Sequence, residues 1–379
     1  MKQTSRIIST YSADTFGVCS ALFELGGMVV MHDASGCNST YTTHDEPRWY
    51  DMDSMVYISG LSEMEAIMGD DEKLINDIAE AAESLQPKFI AVAGTPIPTM
   101  TGFDYQAVAE LIEERTGIPA FGFATTGMIT YVYGASMAFE GIARRFVKKN
   151  VEKTAHLSAN ILGLTPLDFS VNGADRSIEK LLEDAGFEVI SKWAMGSSLE
   201  EISEAGRASV NLVVSATGLG AAKVLKELFG TPYVIGTPIG RAYQKELKEI
   251  LRIAAETGEA KPEDVKTKMS NLPGCEIAVI GEGITSLSLA QAIEFEYGKG
   301  VKVLCATECE KGFLREKDVL TPYEEDVVEA LAGIKMVIAD PLYRPICPTG
   351  VKFIPLPAEN FSGRIYRSDI PNLIETVYF

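Results

Sequence analysis

From Asp71 onward the chain repeats one pattern, an amphipathic helical stripe followed by a short unbroken apolar run and a turn, and few folds satisfy that alternation. Leu74, Ile75, Ile78, Ala79 and Ala82 recur at helical spacing, and the stripe stops before Pro87. Residues 89–93 are apolar on both faces, as a strand covered from both sides must be, and they end at Gly94-Thr95-Pro96. A second stripe over 104–116 closes at Gly117-Ile118-Pro119, and 120–123 begins another strand. Helices alternating with such strands predict a parallel sheet clothed by helices.

The rhythm restarts twice. One restart predicts strands at 159–164, 188–190, 210–215 and 233–235, with helices over 176–185, 198–205, 221–229 and 240–256. After a polar stretch at 259–264, the other predicts strands at 276–280, 301–306 and 336–339, with helices over 286–297 and 323–331. The 379 residues therefore read as an α/β protein of three doubly wound, parallel-sheet (Rossmann-like) domains: 1–155, 156–270, and 271–379 with a C-terminal tail.

Charge narrows the partners. Thirty-four basic against fifty-three acidic residues give a net charge of −19, which disfavours nucleic acid, because affinity for phosphates comes from Lys and Arg displacing counterions. No stretch approaches the roughly 18 uncharged apolar residues of a membrane span. The first ten residues never develop the apolar core of a signal peptide, so a cytoplasmic protein is expected. Six cysteines are too sparse for a secreted disulfide scaffold, which leaves core thiols, metal ligands or redox groups.

Ligands of open α/β sheets sit beyond the carboxyl ends of strands, so residues just after strands carry the interest: Thr95, Pro96, Ser215, Thr217, Gly281, Glu282, Cys309 and Cys347. Gly281-Glu282-Gly283-Ile284-Thr285-Ser286 has the strand-to-helix setting of a dinucleotide fingerprint, but its third glycine is Ser286, and a tight packing turn is the favoured reading. Cys305, Cys309 and Cys347 lie near strand ends that would be neighbours, and Cys275 would begin a strand at the opposite edge. They lack a C-x-x-C pair and are expected to be core or incidental thiols. Cys19, expected at a helix start, and Cys37, in a turn after the apolar run 26–31, have small neighbours that open access to sulfur. Two thiolates fall short of the four that an iron–sulfur cluster normally takes, so other groups or another protomer must complete such a site.

On these residues the chain resembles the component 1 proteins of nitrogenase, with the dark-operative protochlorophyllide, chlorophyllide and nickel-sirohydrochlorin reductases. His32-Asp33-Ala34-Ser35-Gly36-Cys37 is similar to the family's cluster turn, continued by His44-Asp45-Glu46-Pro47. Ser62-Glu63 with 69–74 resembles the helix that follows, and Asn160-Ile161-Leu162-Gly163-Leu164-Thr165-Pro166 the opening of the second domain. The resemblance implies paired homologous or identical subunits, a buried cluster between them, and an ATP-hydrolysing iron protein that docks above and supplies electrons. Cys19 and Cys37 match the first two cluster cysteines of a subunit. The third is absent, since its turn reads Gly94-Thr95-Pro96-Ile97-Pro98. An eight-iron cluster is therefore not expected. Two cysteines from each of two protomers would hold one [4Fe–4S] cluster on a two-fold axis.

A second departure concerns the substrate. The cofactor-binding cysteine of nitrogenase would fall at Val214-Ser215-Ala216, and no histidine follows His156, so nitrogen fixation is not expected. What remains is a reductase of a small or tetrapyrrole-like molecule, with a cleft among the domains, Thr95, Ser215 and Thr217 as cofactor-side candidates, and any second cofactor unidentified. His44, Asp45 and Glu46 line the path to the substrate or form a solvated loop. His32 tunes the cluster or simply packs at a strand end. Two rival readings stand beside this one: a non-catalytic scaffold for metallocofactor assembly, and a zinc site of Cys19, Cys37, His32 and His44.

Overall fold

A computed structural model of the chain describes residues 5–36, 38–260, 272–310 and 312–375. The elements fall into three consecutive stretches of the chain, one for each sheet, and the first contains α1 (Asp14–Leu22), β1 (Met28–Met31), β2 (Met55–Ile58), α2 (Glu63–Met68), α3 (Asp71–Leu85), β3 (Ile90–Ala93), α4 (Pro96–Thr101), α5 (Tyr105–Thr116), β4 (Ala120–Phe123) and α6 (Tyr131–Phe146). Capping fixes the helix starts. Ser62 and Glu65 form a reciprocal capping box on α2, and the Asp70 and Asp104 carboxylates accept from Lys73 N and Ala107 N to open α3 and α5.

The second stretch contains β5 (Ser158–Leu164), α7 (Pro166–Phe169), α8 (Ala174–Glu183), β6 (Glu188–Ala194), α9 (Leu199–Ser203), β7 (Val210–Val213), α10 (Leu219–Phe229), β8 (Tyr233–Ile235) and α11 (Arg241–Thr257). The third contains β9 (Ile277–Gly281), α12 (Gly283–Tyr297), β10 (Val301–Cys305), β11 (Val319–Leu320), α13 (Glu324–Ala330), β12 (Met336–Ala339) and β13 (Lys352–Pro355). No described helix is long and apolar enough to cross a membrane.

The strands form three sheets, ordered β2-β1-β3-β4, β6-β5-β7-β8 and β11-β10-β9-β12-β13, and the strand pairings within them are parallel. Each order reverses direction once, between β1 and β3, between β5 and β7, and between β9 and β12. These reversals are the crevices where doubly wound sheets take ligands.

The cores do not respect the sheets. One cluster runs from Val18 and Phe89 to Trp193 and Leu225, and another from Ile161 and Leu212 to Val279 and Leu289. Helix α6 packs into the first, with Phe139 edge-on against the buried Trp193 at 5.8 Å. α1 crosses α6 so closely that a Cβ on Gly134 would fall on the Asp14 carbonyl oxygen, and one on Gly17 on the Tyr131 carbonyl oxygen. Glycine is required at that crossing for its missing side chain.

Two local expectations change. Cys19 is the sixth residue of α1 and fully buried, not at a helix start, because Asp14 opens the helix and its carboxylate takes the Thr15, Thr126 and Gly127 N–H groups. The strands preceding Cys309 and Cys347, β10 and β12, are not neighbours, since β9 lies between them, and β9 starts two residues after Cys275.

Candidate functional site

The three reversals each carry polar residues on facing strand ends. Beyond β1 and β3, the Thr95 hydroxyl donates to the His32 carbonyl (2.7 Å) and to Asp33 Oδ1 (3.2 Å). Beyond β5 and β7, the Ser215 hydroxyl donates to Asp168 Oδ2 (2.5 Å) and stands 3.0 Å from Thr217 Oγ1. Glu282 follows β9 and Asp340 follows β12.

Asp168 is where the chain's three stretches meet. Its carboxylate accepts from Thr165 Oγ1 (3.0 Å), from Ser215, and from the Tyr131 hydroxyl at the start of α6. Asn360 donates to the same hydroxyl (2.8 Å) and lies 3.5 Å from Asp168 Oδ1. Glu282, 3% exposed, links across from the third sheet: its Oε1 accepts from Ala216 N (3.1 Å) and Ile284 N (2.9 Å). Burial, then repulsion by Glu282, pushes the Asp168 carboxyl up to about 7 against the hydrogen bonds that favour its charged form. A buried carboxyl in that range holds a proton near neutrality and can release it.

Asp168, Glu282, Thr285, Asp340 and Asn360 line a cavity of about 100 Å³, with Leu289, Phe361 and Ile374 among its apolar lining. The space takes a small group or the edge of a larger molecule. The same geometry disposes of the dinucleotide reading. Glu282 is the N-cap of α12 and spends both carboxylate oxygens on that helix's first N–H groups, where a pyrophosphate would have to bind.

Around Cys19 the picture is different. The Tyr41 hydroxyl, fully enclosed, donates to Glu46 Oε2 (3.0 Å), and Glu46 is locked to Arg48 at 2.8 Å. Burial and the Glu46 charge raise the Cys19 thiol well above its ordinary value. Asp45 and Glu46, with Phe16, Tyr41, Glu359 and Arg364, line a second cavity of about 350 Å³. His44 is half-buried with Nδ1 on the Thr43 hydroxyl at 2.7 Å. Glu46 is thus a structural ion-pair partner rather than part of a solvated loop.

A cluster fits this site in donor chemistry but not in number. Cys19 is the thiol here, Cys37 lies outside the described residues, and among the described residues no three His, Cys, Asp or Glu side chains converge as metal ligands. The zinc alternative loses support for that reason. His32 also has Nδ1 on Ser59 Oγ (2.9 Å), and burial holds it down at about 4.

Of the residues expected from the sequence, Ser215, Thr217 and Glu282 lie at this junction, whereas Asp168, Tyr131 and Asn360 were not among those expected. An acid two residues past Pro166, just beyond a doubly buried strand, was the available signal for Asp168. Nothing local marks Tyr131 or Asn360, which reach the site only through packing of distant segments.

A family model of nitrogenase component 1 type oxidoreductases matches residues 14–335. One subunit of the light-independent protochlorophyllide reductase of Leptolyngbya boryana is 26% identical over 292 residues, covering 69% of this chain and 56% of its own length. The nitrogenase iron-molybdenum cofactor biosynthesis protein NifE of Rippkaea orientalis is 26% identical over 287 residues, covering 73% and 57%. The chain thus spans about half the length of the curated relatives it matches. A solved structure titled "Nitrogenase Cp1 at pH 6.5" superposes with a TM-score of 0.68 at 18% identity, over 99% of this chain and 92% of that one, which is a likeness of fold.

Proposed function

Because this chain belongs to the nitrogenase component 1 type oxidoreductase family, we propose that it is the substrate-reducing member of a two-component system in the cytoplasm, taking electrons from an ATP-dependent iron protein. The substrate, a small or tetrapyrrole-like molecule, enters the junction at Asp168. The observation that carries this reading is the protonatable, buried Asp168 carboxyl on a cavity where all three stretches meet. Reducing a double bond by two electrons also consumes two protons, and a carboxyl poised near neutrality is a proton donor suited to that need. Ser215 and Tyr131 orient it, and Glu282 keeps its proton affinity high.

Cys19 and Cys37 of each of two paired chains would hold one [4Fe–4S] cluster, which supplies one-electron storage when bound. The surface supports pairing. α2 and α4 both hang from the β1 end, through Leu61 N to the Asp33 carbonyl and through Thr95, and they expose Met64, Ile67, Met68 and Met100 beside the loop that leads to Cys37. An apolar face of that kind suits a protein partner.

A second reading, a scaffold on which a metallocofactor is assembled, is favoured by the NifE proteins among the relatives. Anaerobically purified chain is expected to be brown, with iron and acid-labile sulfide in equal amounts, and a colourless iron-free preparation overturns the cluster. A single turnover with reduced iron protein and ATP separates the two readings. Substrate reduction supports the reductase, while delivery of a bound cofactor to another apo-protein supports the scaffold.

A further inference from the structure

We infer that Cys305 and Cys309 form a redox pair that closes reversibly to an intrachain disulfide over the first residue of α12, a role outside the reading above. Cys305 ends β10 and Cys309 lies in the loop that follows. Their sulfurs converge on one spot: a Cβ added to Gly283 would stand 3.3 Å from Cys305 Sγ and 3.2 Å from Cys309 Sγ. A side chain at this position would crowd both sulfurs, so the glycine keeps the spot open to them, while Cys305 Sγ donates to the Thr307 carbonyl (3.5 Å) and Cys309 Sγ to the Glu310 carbonyl (3.7 Å).

Their exposures are unequal in the way that exchange chemistry uses. Cys305 is fully buried, whereas Cys309 is half-buried and reaches solvent. An accessible thiol meets the oxidant and a shielded one resolves the intermediate. Between them, the Thr307 hydroxyl is buried with no hydrogen-bond partner. A buried hydroxyl left without a partner is unfavourable, so the polar groups of this loop are not fully satisfied in the conformation it holds. Cys347 is no competitor, with its sulfur on the Tyr343 carbonyl (3.4 Å) in the segment after β12, on the far side of β9.

The oxidant is a low-molecular-weight disulfide. The Cys309 thiolate attacks one of its sulfurs and expels a thiolate, leaving a mixed disulfide on Cys309. Cys305, on giving its proton to solvent, attacks the Cys309 sulfur and expels the second small thiol. Two protein thiols and one small disulfide thus become one protein disulfide and two small thiols. The loop so closed contains Glu308, whose carboxylate accepts from Thr130 N (3.2 Å) and from the Thr130 hydroxyl, one residue from Tyr131.

The test equilibrates the anaerobic full-length chain with reduced and oxidised glutathione in graded ratios, blocks free thiols with iodoacetamide, and weighs the tryptic peptide 303–311, which contains both cysteines. The expected result is a peptide lighter by two hydrogens, unalkylated at both positions, and restored by dithiothreitol. Cys305→Ser is expected to trap glutathione on Cys309, and Cys309→Ser to leave Cys305 reduced. Both cysteines alkylated at the oxidising limit, glutathione persisting on Cys309 of the unmutated chain, or zinc or copper retained by the pair would each overturn the proposal.

Discussion

The Tyr131 hydroxyl donates to Asp168 across the seam between the first and second sheets, and it accepts from Asn360 on its other side. Tyr131→Phe keeps the ring and removes that bridge. It is expected to cost about 2 kcal/mol, the range for a hydrogen bond to a chargeable group, read from the midpoint of urea denaturation. A loss too small to measure would mean that the bridge does not hold the seam.

Asp168 also sets a pH dependence. Its folded carboxyl lies near 7 against an ordinary 3.8, so between those values the folded chain holds a proton that the unfolded chain has released. Stability from this group therefore falls as pH rises from about 4 to about 7, by at most about 1.4 kcal/mol per pH unit, and is level above. Asp168→Asn is expected to abolish that component while leaving the fold's circular dichroism unchanged.

His32 works in the opposite sense. Burial holds it at about 4 against 6.5, so the folded state resists protonation, and the stability it contributes above 6.5 is lost as pH falls toward 4. In the unmutated chain the two slopes oppose each other. The Asp168→Asn variant should therefore lose stability on acidification from 6.5 to 4 more steeply than the parent, and an imidazole titrating near 6.5 by NMR at His32 would refute the assignment.

Arg48 is 3% exposed and joins Glu46, Glu24 and the Ser20 carbonyl (2.7 Å) under the Phe23 ring. Arg48→Met leaves Glu46 as an unpaired buried charge, and a loss of about 3–5 kcal/mol is expected in thermal or chemical unfolding. Adding Glu46→Gln should recover part of it. A double variant no better than the single one would place the cost in packing on Phe23 instead.

At the α1–α6 crossing, Gly17→Ala or Gly134→Ala drives a methyl into a main-chain carbonyl. Either change is expected to lower the melting temperature by many degrees or prevent folding, whereas Gly333→Ala, which meets nothing within 4 Å, should cost only the strain of its φ of 79°.

Cys37→Ser and Cys19→Ser are each expected to abolish bound iron, whereas Cys347→Ser is expected to retain it. Iron analysis of anaerobic preparations decides this, with circular dichroism to exclude unfolding of the buried Cys19 variant.

What the sequence determined by itself is everything that depends on short-range order. The stripe at Leu74, Ile75 and Ile78, the apolar run at Ile90–Ala93 and the turns at Gly94 and Gly117 dictate helix, doubly buried strand and parallel sheet, because burial on both faces leaves no polar alternative. The three sheets and the strand-end positions of Thr95, Ser215 and Thr217 follow from that rhythm. Tertiary structure alone decided which strand ends face each other. Tyr131, Asp168, Glu282 and Asn360 are separated by up to 229 positions, and only the packing of α6 and the third sheet against the second makes them one site. It also decided the fate of single thiols, closing Cys19 into the core and setting Cys305 against Cys309, since burial and proton affinity are properties of the surroundings and not of the residue.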